Sequence, residues 1–183
     1  MLMMPRTNVK LDIRYILLAL GLLLLLSVAS LPLHVLAAAP EVAIKIDASG
    51  AAPRQVEDST VQAVARDYST AWKNLGRAMD ENRPDLLNGF VGSAREQAAK
   101  LIASQKQNGL HQRYGDRGHN ATVAFYSVDG SSMLVHDTAQ IEIQQLDGTN
   151  VVHSEQVTLH YLALLTPAEN SWKVRVLESV PGF

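Results

Sequence analysis

Asp137 and Tyr161 are the residues of this 183-residue chain whose types and placement come closest to a reaction site. Strand periodicity puts both on the concave, partly apolar face of a sheet. An acid there is costly unless it is paired, and a carboxyl held in that way can act as a general base. Tyr161 could donate to a developing oxyanion, and Tyr68 and Trp72 could wall an apolar pocket. His153 and Glu155 fall on the same face as further ligand-binding candidates. A second reading of these residues stays open, in which Asp137 bonds a backbone amide or Tyr161 while the aromatic side chains simply fill the core. The absence of cysteine removes thiolate nucleophiles, disulfides and cysteine-ligated zinc. Six histidines are present, but no pair has the spacing of a metal site; His153 and His160 fall on opposite faces of one strand. Neither a metal nor a cofactor is therefore expected. A net charge of −2 with no basic run gives no nucleic-acid-binding face. Arg113–His119 reads as a polar, glycine-containing loop, and Asn120-Ala-Thr122 as a sequon at a strand start.

The elements that must position these residues follow from periodicity. Apolar positions Val61, Val64, Tyr68, Ala71, Trp72, Leu75 and Met79 recur at three and four residues, with Ser59–Gln62 as a capping box, which predicts a helix of about twenty residues. Asn82 and Pro84 end it, and Asp85–Val91 reads as a short second helix. Ser93–Glu96 is another capping box, opening a third helix with a stripe at Ala94, Ala98, Leu101, Ile102 and Gln105. The period then changes to two. Four strands are expected at Thr122–Val128, Met133–Leu146, Val151–Leu165 and Trp172–Val180. In the middle hairpin a bulge at Gly148 keeps the apolar residues on one face, pairing Val135 with Tyr161 and Asp137 with Leu159. In the last hairpin Leu165 pairs with Trp172. His160, Leu162, Leu164 and Leu177 then join Lys173 and Arg175 on a half-apolar outer face suited to a homodimer contact.

The N-terminal part is unlike the rest. Residues 15–38 carry only Gly21, Ser27, Ser30, Pro32 and His34 as non-apolar positions, long enough to span a bilayer as a helix. Arg6, Lys10 and Arg14 precede it, so residues 1–14 are expected to stay cytoplasmic and the remainder to be exported. Pro32 followed by Val35 and Ala37 also fits a cleaved signal peptide, which would leave a secreted or periplasmic chain. Residues 39–57, rich in Ala and Pro, read as a linker, and 58–183 as one domain. The fold expected is thus α+β: an N-terminal transmembrane helix, then three helices packed on a curved antiparallel sheet of about four strands.

The Tyr68-Ser-Thr-Ala-Trp72 stripe, the Asn82-Arg-Pro-Asp-Leu-Leu87 segment and the late Ser171-Trp-Lys-Val-Arg-Val176 strand, in this order, resemble the nuclear transport factor 2 superfamily. The resemblance implies helices capping a sheet bent into a cone. Members include ketosteroid isomerases and dehydratases as well as enzymatically silent domains, and a short cytoplasmic segment, one membrane helix and an exported cone is the layout of the assembly component of type IV secretion systems. Two functions follow as expectations. One is a membrane-anchored, extracytoplasmic, non-enzymatic binding or assembly module with an envelope protein as partner. The other is an isomerase or dehydratase for a small apolar ligand, with Asp137 as general base.

Overall fold

The computed structural model describes residues 44–109 and 111–183. The expected cytoplasmic segment and apolar span at 1–14 and 15–38 lie outside the described residues. Among the described residues no helix is long and apolar enough to cross a membrane. The elements in order are β1 (Ile46–Asp47), α1 (Asp58–Asp80), a 3-10 turn (Pro84–Leu86), α2 (Gly92–Gln107), β2 (His111–Tyr126), β3 (Met133–Asp147), β4 (Asn150–Ala168) and β5 (Ser171–Val180). This corrects the expected fold class. The described residues hold two α-helices rather than a transmembrane helix followed by three, and a five-stranded mixed sheet rather than four antiparallel strands.

Each difference has a local cause. The segment read as a second helix stops after one turn. Pro84 starts it, but Leu87 leaves helical geometry and the chain runs on to a bridge between Phe90 and Val174. There Val91 N–H donates to Val174 O and Val174 N–H to Gly89 O, which ties this loop to β5. The fifth strand, β1, is two residues long and runs parallel to β2 at Ala121 and Thr122, too short to show an alternation. Both expected capping boxes fail. α1 is capped at Glu57 and α2 at Val91, neither by a side chain, and the Ser93 hydroxyl donates instead to Arg175 O.

α1 buries Val64, Tyr68, Ala71, Trp72, Ala78 and Met79 against the sheet. This is the stripe that its three- and four-residue spacing dictates. α2 seats Gln105 against the end of α1, its Nε2 donating to Met79 O and Asn82 Oδ1. Leu101, expected in that stripe, is 51% exposed. The sheet runs β1-β2-β3-β4-β5. Alternate residues of β3 (Met133, Val135, Asp137, Ala139, Ile141) point into the helix-covered core, which also holds Leu87, Phe90, Ala163, Leu165 and Val174.

The face assigned to β3 is correct, but its pairing is displaced by two residues. Val135 opposes Ala163, Asp137 opposes Tyr161, and the irregularity falls at Gln145–Leu146 instead of Gly148. A two-residue displacement preserves the faces of a strand, which is why the inward set was right while the partners were wrong. In the last hairpin Leu165 opposes Val174, with a bulge beside Leu164. Leu177 therefore sits opposite Ala163 and packs against the core rather than on the outer face. Half-buried Leu162 and Leu164 remain on the outer face, where the Phe183 ring stacks on His136 at 4.3 Å.

Candidate functional site

The strongest polar constellation of the domain is built around Asp137, which is fully buried at the middle of β3. α1 lies over it, and one helical turn of that helix brings Tyr68 and Trp72 to the same face. The Tyr68 hydroxyl donates to Asp137 Oδ2 at 2.7 Å. On the neighbouring strand, His119 Nδ1 lies 3.0 Å from Oδ1 and 2.8 Å from Oδ2 of the same carboxylate, and its Nε2 lies 3.1 Å from Asp116 Oδ2. Four side chains thus form one chain, Tyr68–Asp137–His119–Asp116. The His119 side chain is completely buried, whereas that of Asp116 is one third exposed.

A β-bulge makes this chain possible. Two residues three apart on a regular strand face opposite ways. Between Asp116 and Gly118 the register with β3 slips, Arg117 being the extra residue, so that Asp116 opposes Ile141 and His119 opposes Ala139, both inward-facing positions. Gly118 adopts φ +155°, and its N–H donates to Asp116 Oδ1 at 3.0 Å, which holds the bulge closed. The segment expected as a polar loop is therefore the first half of β2 and supplies two of the four members.

The electrostatics follow from burial and pairing. Burial opposes a charge on His119, but hydrogen bonds to the Asp116 and Asp137 carboxylates outweigh it and raise the imidazole to about 9. Both ring nitrogens face carboxylate oxygens, and the imidazolium alone donates at both. Burial, reinforced by the Asp137 charge, drives the Tyr68 phenol well above its usual range. Burial, with Tyr114 and Asp137 nearby, pushes Tyr161 up to about 12. The group is a neutral phenol, a carboxylate, an imidazolium and a second carboxylate in series.

The aromatic candidates pack around this chain. The Trp72 ring lies 4.8 Å from His119 and 5.2 Å from Tyr161, and Tyr68 is 6.2 Å from Trp72 in an edge-to-face arrangement. Tyr161 is the cross-strand neighbour of Asp137, yet the phenol that bonds the acid is Tyr68. Trp72 Nε1 is buried and has no acceptor in hydrogen-bonding geometry among the described residues. His153 and Glu155 are not brought into the group. They oppose Gln145 and Ile143 far along the hairpin, and both are exposed. Cavities lined by Arg117, Gln140 and Gln156, by Asp67, Asn88 and Lys173, and by Ile46, Gln55 and Val61 do not include Asp137. Among the described residues no cluster of three or more His, Asp or Glu could hold a metal ion.

The architecture is shared with a solved structure. The crystal structure of the intermembrane space region of the chloroplast protein ARC6 matches with a TM-score of 0.56, at 17% identity, over 69% of this chain and 98% of that one. The fold is the same. Two further structures match less well. A scytalone dehydratase-like protein from Novosphingobium aromaticivorans gives a TM-score of 0.41 at 14% identity, over 63% of this chain and 83% of that one. A de novo designed β-sheet protein gives 0.35 at 13% identity, over 66% of this chain and 92% of that one. No family model and no curated protein sequence matches the chain. What the ARC6 region shares with this chain is the fold alone, two helices over one face of a five-stranded sheet.

Proposed function

We propose that this domain is a non-enzymatic binding or assembly module that acts through the surface of its sheet, the interior of the cone serving only to hold it together. One observation carries this reading: Asp137 is wholly buried, and both of its oxygens already accept hydrogen bonds from Tyr68 and His119. A general base must come within hydrogen-bond reach of the proton it removes. Here Tyr68, Trp72 and His119 occupy the volume in which a substrate would have to stand. The same arrangement has a structural account, since a buried acid is retained when every partner is supplied from neighbouring elements.

The test is a titration of the full chain with an environment-sensitive apolar fluorophore, in parallel with Asp137→Asn. The module reading expects no saturable one-to-one site that depends on residue 137. Saturable binding by the native chain that is lost in Asp137→Asn would restore the isomerase or dehydratase reading and overturn this one.

A further inference from the structure

The chain contains two Asn-Gly pairs, Asn88-Gly89 and Asn108-Gly109, and the fold treats them in opposite ways. In such a pair the backbone nitrogen of the glycine, unhindered by a Cβ, can attack the side-chain carbonyl of the asparagine. The asparagine must first turn about ψ until that nitrogen meets Cγ, so the reaction is open only where the backbone can move. Asn88-Gly89 is held fast. The Asn88 N–H donates to Leu86 O at 2.8 Å, its carbonyl accepts from Lys173 Nζ at 2.8 Å, and Gly89 O accepts from Val174 N–H at 3.0 Å. Gly89 is buried so close to α1 that a Cβ on it would stand 2.4 Å from that of Ala71. Turning Asn88 would drive it into the helix. Asn108-Gly109 lies where α2 ends, and both of its residues are exposed. Gly109 stands at φ +63°, and apart from its chain neighbours no described atom lies within 4 Å of the place a Cβ would take. The bonds that restrain the pair are long: Gly109 N–H donates to Lys106 O at 3.3 Å, and Asn108 Nδ2 to Ser104 Oγ at 3.4 Å. A helix end fastened in this way frays easily.

We propose that Asn108 is a site of spontaneous deamidation, and that the fold selects it over Asn88. The Gly109 nitrogen gives up its proton to solvent and forms a bond to Asn108 Cγ. The side-chain nitrogen takes up a proton and leaves as ammonia, which closes a cyclic imide. Water then opens the ring at either carbonyl. One opening leaves aspartate; the other leaves isoaspartate, in which the backbone is diverted through the side chain and lengthened. Both products place a carboxylate at the C-terminal end of α2, where the helix dipole disfavours negative charge. Isoaspartate also lengthens the link to β2, whose residues His111 and Arg113 are tied to Asp80 at the end of α1. The end of α2 is therefore expected to work loose from α1 as the chain ages. This modification is independent of the binding-module reading, which concerns the sheet.

Peptide mass spectrometry reads both pairs in one sample. The native full chain is held for days at mildly alkaline pH, which favours loss of the glycine N–H proton, and is then digested at acidic pH, which preserves the products. The peptide containing Asn108 is expected to gain the mass of NH exchanged for O and to accept a methyl group from an isoaspartyl methyltransferase. It should do so at least ~tenfold faster than the peptide containing Asn88, whose loop must open before it can react. In urea the same chain is expected to convert both pairs at similar rates. Asn108→Gln should abolish the modification of its own peptide while the Asn88 peptide of the native chain stays intact. An unmodified Asn108 in the native chain overturns the proposal, and so does equal conversion of the two pairs. A preference for Asn108 that persists undiminished in urea overturns it as well, since neighbouring sequence and not the fold would then choose the site.

Discussion

His119 shows how much one side chain can depend on its neighbours. An imidazole with no exposed surface would normally be neutral, yet here two carboxylates hold it as a cation at about 9. The folded value lies above the unfolded one, so the stabilisation is fully present below about pH 6.5 and disappears as the pH rises through about 9. Thermal melts are therefore expected to fall between pH 6.5 and 9.5, and His119→Gln, which cannot titrate, should flatten that slope while lowering the plateau. Parallel slopes in the two proteins would contradict the assignment. The pair at the centre of this site was only half legible in the sequence. Asp137, Tyr68 and Trp72 share a face in any register that respects the alternation of β3 and the helical stripe of α1, so their meeting could be anticipated. Asp116 and His119 could not, because a three-residue spacing on a regular strand separates them and the two nearby glycines read as loop. The bulge at Arg117 reverses both inferences, and only the unusual Asp-Arg-Gly-His run hinted at it.

At the scale of elements, the loop between the 3-10 turn and α2 does the work that the sequence had assigned to a helix. It threads between α1 and β5 so closely that a Cβ on Gly89 would stand 2.4 Å from Ala71 Cβ and 2.6 Å from its Cα. Neither atom can swing aside, since both belong to the rigid first helix. Gly89→Ala is expected to cost about 1–3 kcal/mol, seen as an earlier midpoint in urea with little change in slope. Ala71→Gly in the same background should recover part of the loss by removing the nearer atom, at the cost of about 1 kcal/mol of helix propensity. An unchanged midpoint for Gly89→Ala would mean that the loop lies farther from α1. The helix stripe and the inward faces of β3 were legible because they rest on repeated spacing. This loop and the two-residue β1 were not. Their geometry is decided by long-range contacts, such as Val91 and Gly89 with Val174, which leave no local pattern.

Among the described residues, the domain is a helix-covered sheet with an uncovered extension. α1, α2 and the 3-10 turn pack on the part of the sheet that holds Met133, Val135, Asp137, Ala163, Leu165 and Val174. The hairpin of β3 and β4 continues past them, and from Asn150 to Gln156 every residue of β4 is exposed. Local opening is easiest where few apolar contacts must be broken, so protection against amide exchange should be graded along the same strands. At micromolar concentration, the β3 amides near Val135 and Asp137 are expected to exchange only through global unfolding. Those of Val151–Gln156 are expected to exchange orders of magnitude faster, by fraying from the Gly148–Thr149 turn. Uniform protection along β3 and β4 would contradict this division of the sheet into a covered anchor and an exposed arm.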